Sequence, residues 1–163
     1  IHAGALACGQ NDQCNCHLAP FFIVPPVLPP KRRAARGRAL TDGYRMRTVV
    51  FDLDGTLADT SADLLAAANV CFRGMGHGDV LGPQDTLVAF HGGRAMLRAG
   101  YARLGLPMTE ADLDRMYPVL LAAYADGIDT HTRLYPGVIK ALEILAGHGY
   151  ALAICTNKPV GLA

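Results

Sequence analysis

Thr48-Val49-Val50-Phe51-Asp52-Leu53-Asp54-Gly55-Thr56-Leu57 passes from an apolar, β-branched run into two aspartates and then a Gly-Thr turn. Val49, Val50 and Phe51 are consecutive and apolar, the pattern of a strand buried in a parallel sheet. Side chains two residues apart on a strand point the same way, so the carboxylates of Asp52 and Asp54 start on one side of the chain. Two acids this close repel, and raise each other's proton affinity, unless a cation lies between them. The stretch therefore predicts a divalent metal and an acidic nucleophile at a strand end.

Downstream, the periodicity turns helical. Thr60-x-x-Asp63 fits a capping box, and Leu64, Ala68, Cys71, Phe72 and Met75 recur at helical spacing until Gly74, Gly76 and Gly78 end the pattern. A short helix is predicted within 83–90, stopping at His91-Gly92-Gly93. Another is predicted over 94–104, with Leu97, Tyr101 and Leu104 on one face. A third opens at Thr109-x-x-Asp112 and carries Leu113, Met116, Tyr117, Leu120, Leu121 and Tyr124, with Pro118 inside the stripe, where it should kink or split the helix. After Tyr135-Pro136-Gly137 comes a helix with Val138, Ala141, Leu142 and Leu145. Tyr150-Ala151-Leu152-Ala153-Ile154-Cys155 then reads as a second buried strand, ending at Thr156-Asn157-Lys158-Pro159. This last helix and strand fit the crossover of a parallel sheet, with the helices between as an insertion.

Residues 1–45 are of another kind. Six Lys/Arg and two acids give them a charge of +4, against −3 for the rest, and their prolines, glycines and basic run 31–38 predict disorder. Met46 is the expected biological start, which would make the preceding segment a non-native extension. The overall charge of +1 predicts no nucleic-acid partner. Leu18–Leu28 is too short for a membrane span and is broken by Pro20, Pro25 and Pro26. Five cysteines, an odd number, make no disulfide framework, and a reducing cytoplasm is the expected compartment. Cys14-x-Cys16-His17 matches no common zinc-ligand spacing.

Asp52-Leu53-Asp54-Gly55-Thr56-Leu57 resembles the first motif of the haloacid dehalogenase (HAD) superfamily, D-x-D-G-T-L. Leu134-Tyr135-Pro136-Gly137-Val138 is similar to the re-entry from cap to core. Ile154-Cys155-Thr156-Asn157-Lys158-Pro159 is similar to the second motif of the phosphoglycolate-phosphatase branch. The resemblance covers residues 46–163. It implies an α/β fold: a partial, Rossmann-like parallel-sheet HAD core over 46–60 and 133–163, with an α-helical cap over 61–132.

The chemistry that the resemblance implies is phosphomonoester hydrolysis. Asp52 is the expected nucleophile, forming an aspartyl-phosphate. Asp54 is the expected proton donor and acceptor, where dehalogenases carry tyrosine and cation-pumping ATPases threonine. Mg²⁺ is the expected cofactor, held by the Asp52 carboxylate and the Asp54 carbonyl. Phosphate- and substrate-binding positions are Gly55, Thr56, Thr156, Asn157, Lys158 and Arg94. Arg94 is read as a bidentate partner for a substrate carboxylate, against the plainer reading of a surface charge at a helix start. The expected substrate is a small phosphorylated metabolite such as 2-phosphoglycolate. The alternatives are a sugar phosphomutase of the same superfamily and an inert fragment. The family's third and fourth motifs, a lysine and further acids, are not found by residue 163. The chain is therefore expected to be an incomplete piece, inactive by itself. Like charges near ~4 Å at an effective dielectric near ~20 repel by about 4 kcal/mol, the scale of an unscreened nucleophile facing a phosphate.

Overall fold

The computed structural model describes residues 21–23 and 47–162. The expectations for the basic run, for the cysteine-histidine cluster and for Met46 lie outside these residues. The elements, in order, are β1 (Phe21–Ile23), β2 (Thr48–Phe51), β3 (Ala58–Asp59), α1 (Ser61–Gly74), a 3₁₀ turn (Pro83–Asp85), α2 (Thr86–Ala89), α3 (Gly93–Arg103), α4 (Glu110–Asp126), β4 (Arg133–Leu134), α5 (Val138–Gly147), β5 (Ala151–Cys155) and a 3₁₀ turn (Val160–Leu162). They divide into two compact units, with the boundaries between Leu53 and Asp54 and between Tyr135 and Pro136.

The first unit is a three-stranded sheet ordered β1-β5-β2, together with α5. β2 and β5 run parallel, with Thr48 opposite Ala151 and Phe51 opposite Ile154. β1 pairs antiparallel with the other edge of β5, Phe21 opposite Cys155. This strand falls within residues 1–45, where the sequence has no period of its own. An open edge of β5 offers unpaired N–H and C=O groups, and three residues of extended chain suffice to meet them. β2 departs from its expected burial: its residues alternate between exposed and half-buried, and Val50 is 47% exposed. α5 precedes β5 and carries the apolar stripe that its sequence predicts, yet none of its residues is fully buried.

The second unit, Asp54–Tyr135, holds the main hydrophobic core. α1 packs on α4, α2 and α3, and Phe72, Met96, Leu97, Leu113 and Leu120 are its largest fully buried side chains. The Phe72 and Tyr101 rings lie 6.4 Å apart at a tilt of 58°, a favourable aromatic geometry. The Tyr101 hydroxyl points at Met116 Sδ, 3.0 Å away. Gly100 lets α3 approach α1: a Cβ there would sit 2.0 Å from Phe72 Cζ.

Three buried polar side chains organise the loops around this core. Asn69 Oδ1 accepts from the N–H groups of Val80 and Leu81, both at 3.0 Å, and its Nδ2 donates to the Leu81 carbonyl at 2.8 Å. One side-chain amide thus serves the loop as a neighbouring strand would. Asp63 accepts from the N–H groups of His131 and Thr132 and from the Thr132 hydroxyl. Asp85 takes both arms of the Arg103 guanidinium, at 2.6 and 2.7 Å, and the Gly82 N–H at 2.9 Å.

Two local expectations fare differently. Thr109 and Asp112 form the reciprocal capping box at the start of α4. Thr60 occupies the N-cap of α1 but makes no side-chain capping bond. Asp59 takes that role, accepting from the Ser61 N–H at 3.1 Å and the Ser61 hydroxyl at 2.6 Å. Asp63, the other half of the expected box, is committed to His131 and Thr132. Pro118 does not split α4, which is continuous over Glu110–Asp126 because its buried stripe outweighs one missing backbone donor. The segment predicted as one short helix over 83–90 is a 3₁₀ turn followed by α2, with Pro83 at its first position.

Gly100→Ala forces the Phe72 ring or α3 to move, and should destabilise the protein by about 1–3 kcal/mol in denaturant unfolding. The hydrogen bonds from Arg103 hold the Asp85 carboxyl below the ordinary carboxylate range. The stability that this pair contributes is present above the unfolded value, near ~3.9, and is lost as the pH falls through the folded one. Asp85→Asn should therefore lower Tm at neutral pH, and the gap to the parent should narrow steadily below about pH 4.

Candidate active site

Two polar residues of the first unit, Asp52 and Thr156, lie at one edge of its sheet. Asp52 follows β2 and Thr156 follows β5, and the register that pairs Phe51 with Ile154 brings both chains out at the carboxyl ends of neighbouring parallel strands. Open α/β sheets bind ligands at that edge. Asp52 is exposed, and its Oδ1 accepts the Leu53 N–H at 2.7 Å. Thr156 is 3% exposed, and its Oγ1 accepts the Lys158 N–H at 3.2 Å. A hydroxyl that accepts retains its own proton to donate. Asn157 is exposed and Lys158 half-buried in the turn that follows.

Asp54 and Gly55 open the second unit in a tight turn. Gly55 has φ +78°, and its N–H donates to the Ala58 carbonyl at 2.8 Å. Only glycine adopts that backbone without strain, and a Cβ there would also press the Phe90 ring at 3.1 Å. Asp54 Oδ1 accepts from the Thr60 hydroxyl at 2.8 Å. The Leu57 carbonyl accepts the Tyr135 N–H at 3.1 Å, and Ala58 and Asp59 pair antiparallel with Leu134 and Arg133. The outgoing and returning chains are thereby stitched together. Burial, with the negative charge of Asp59, pushes the Tyr135 phenol up. Thr56 is exposed on the turn.

Arg94 stands elsewhere in its unit. One arm bonds Asp114 Oδ1 at 2.7 Å, the other lies 3.9 Å from Glu110 Oε2, and the guanidinium covers the Tyr117 ring at 5.1 Å. The bond that it donates to Asp114 raises its proton affinity further. The fork that the resemblance offers to a substrate carboxylate is engaged by side chains of α4. His91 Nδ1 sits 2.7 Å from the Leu87 carbonyl, an ordinary helix-end contact.

Thr60 and Phe90 are the residues that the sequence reading missed. Thr60 is concealed by its place in a plausible capping box, and Phe90 by its distance along the chain from Gly55. The signal available for Thr60 was the second acceptor, Asp59, one residue before it. Among the described residues no group of three or more His, Cys, Asp or Glu side chains is arranged to hold a metal ion, and no helix is long and apolar enough to cross a membrane.

Comparison with known proteins agrees with this architecture. The phosphoglycolate phosphatase of Agrobacterium fabrum is 37% identical over 114 residues, covering 70% of this chain and 49% of that protein. That of Mesorhizobium japonicum is 40% identical over 110 residues, covering 68% and 48%. A candidate phosphoglycolate phosphatase of Lactobacillus delbrueckii subsp. bulgaricus, solved by crystallography, superposes with a TM-score of 0.60 at 29% identity, over 71% of this chain and 56% of that one. The chain spans about half the length of the curated relatives it matches. A family model for haloacid dehalogenase-like hydrolases matches residues 49–161, and the chain, with its α/β core and helical unit, belongs to that family.

Proposed function

We propose that this chain supplies the nucleophile and the acid-base group of a Mg²⁺-dependent phosphomonoester hydrolase of the phosphoglycolate-phosphatase type. The observation that carries the reading is the shared sheet edge of Asp52 and Thr156, the emergence of an acid and a buried hydroxyl from adjacent parallel strands. The names of the curated relatives favour a phosphatase over a sugar phosphomutase. A cytoplasmic location and a small phosphorylated acid as substrate belong to the same reading.

In this reading a carboxylate oxygen of Asp52 attacks phosphorus in line with the ester oxygen. The P–O bond to the leaving alcohol breaks, and an acyl phosphate forms on Asp52. Asp54 gives its proton to the departing oxygen. It then takes a proton from the water that attacks phosphorus, and the Asp52 carboxylate is released with inorganic phosphate. Thr156 donates its hydroxyl proton to a phosphoryl oxygen. The Asn157 N–H supplies a further donor, the Leu53 and Gly55 N–H groups being engaged by Asp52 Oδ1 and the Ala58 carbonyl, and Lys158 adds positive charge after β5. Thr56 borders the phosphate on the Gly-Thr turn. Arg94 serves a substrate carboxylate only by exchanging Asp114 for it.

The donor set suits Mg²⁺, which takes one or two carboxylates, phosphate oxygens and water. Asp52, through its carboxylate, and Asp54, through its carbonyl, are hard oxygen donors close together in the chain. When bound, the ion supplies positive charge against the crowded oxygens of nucleophile and phosphate.

In the native protein, Asp52→Asn should lower phosphate release from 2-phosphoglycolate by about 10³-fold or more. Chelation with EDTA should abolish release, and added Mg²⁺ should restore it. Borohydride quenching during turnover, followed by peptide mass spectrometry, should find residue 52 reduced. Full activity in Asp52→Asn, or an unmodified residue 52 at high occupancy, would refute the reading.

A further inference from the structure

Thr60 has one hydroxyl proton, and the fold directs it away from the helix that the residue caps. A threonine at an N-cap ordinarily turns its oxygen to the free N–H groups of the first turn. Here Asp59 accepts from Ser61 instead, and Thr60 makes no capping bond. Its Oγ1 donates to Asp54 Oδ1 at 2.8 Å, and the residue is 2% exposed. The backbone between donor and acceptor is closed on itself. The Gly55 N–H meets the Ala58 carbonyl, Asp54 and Ala58 form a bridge, and Leu57 and Ala58 are buried. Both ends of the bond therefore sit on one short, internally bonded turn, and water has little access to Thr60.

We propose that Thr60 is a positioning residue for Asp54, resting on the reading of Asp54 as the acid-base group. An aspartate side chain has two torsions that must be set before its carboxyl can act. A buried donor on the same turn selects one orientation and holds it before substrate arrives. Proton transfer to a leaving oxygen depends steeply on such alignment, while the phosphate is gripped by other groups. Loss of the hydroxyl should therefore reach kcat and leave KM nearly untouched.

The test compares Thr60→Val, which keeps the shape and removes the proton, with Thr60→Ser, which keeps the proton. In the native protein acting on 2-phosphoglycolate with Mg²⁺, Thr60→Val should lower kcat about 10-fold or more with KM within about twofold, and Thr60→Ser should recover most of the loss. Wild-type kcat in Thr60→Val, or a Thr60→Ser protein as slow as Thr60→Val, overturns the proposal. A second measurement does not depend on turnover: a thermodynamic cycle of Thr60→Val and Asp54→Ala in denaturant unfolding. The two changes should be non-additive by about 5-fold in the unfolding equilibrium. Additivity overturns the proposal. A parent protein without phosphatase activity refutes the hydrolase reading, and the cycle then decides the Thr60–Asp54 bond separately.

Discussion

Parallel pairing of β2 with β5 is the constraint on which the site depends. It joins two segments that the whole helical unit separates in sequence, and a parallel ladder can be closed only by such a crossover. Because the register sets Phe51 opposite Ile154, the first polar residue after each strand emerges at the same edge. A slip of β2 by one residue along β5 would turn the side chains of β2 and the carboxylate of Asp52 after it to the other face of the sheet. The identities of Asp52 and Thr156 matter only because the ladder brings both chains out at one end of the sheet.

The helical unit is held by apolar packing, but its loops are held by buried polar side chains. Asn69 replaces a missing strand for Val80 and Leu81, Asp63 gathers the N–H groups of His131 and Thr132, and Asp85 ties the turn before α2 to Arg103 on α3. Each is a short polar residue on a rigid element, with its donors or acceptors used by backbone or by a fixed partner. Satisfied in this way, a buried polar group fixes a loop where apolar contact would let it slide. Asp63 ties the start of α1 to the loop that leads into β4, so the two ends of the helical excursion are fastened to one another.

Arg94 illustrates how a residue type can mislead. A guanidinium beside a Gly-Gly turn invites an anion, and the sequence places no acid near it. The acids arrive from α4, sixteen and twenty positions on, with Tyr117 beneath the planar group. Exposed pairs of this kind contribute little stability each, but they do decide where the charge points.

The sequence by itself determined the α/β class, the helices and their apolar stripes, the Asp-x-Asp-Gly turn and the strand leading to Thr156. Each is written locally: a consecutive apolar run, a period of 3.6, or a glycine where φ is positive. It did not determine which cap forms at Thr60, whether Pro118 interrupts α4, how much of β2 is buried, or that Phe21–Ile23 adds a strand to β5. Those outcomes were decided by competition between partners distant in sequence. Asp59 and Asp54 bid for neighbouring donors, the buried stripe of α4 outweighs one proline, and an open strand edge recruits whatever extended chain reaches it. Local pattern names the candidates, and only the packed chain sets which of two acceptable partners a hydrogen bond finds.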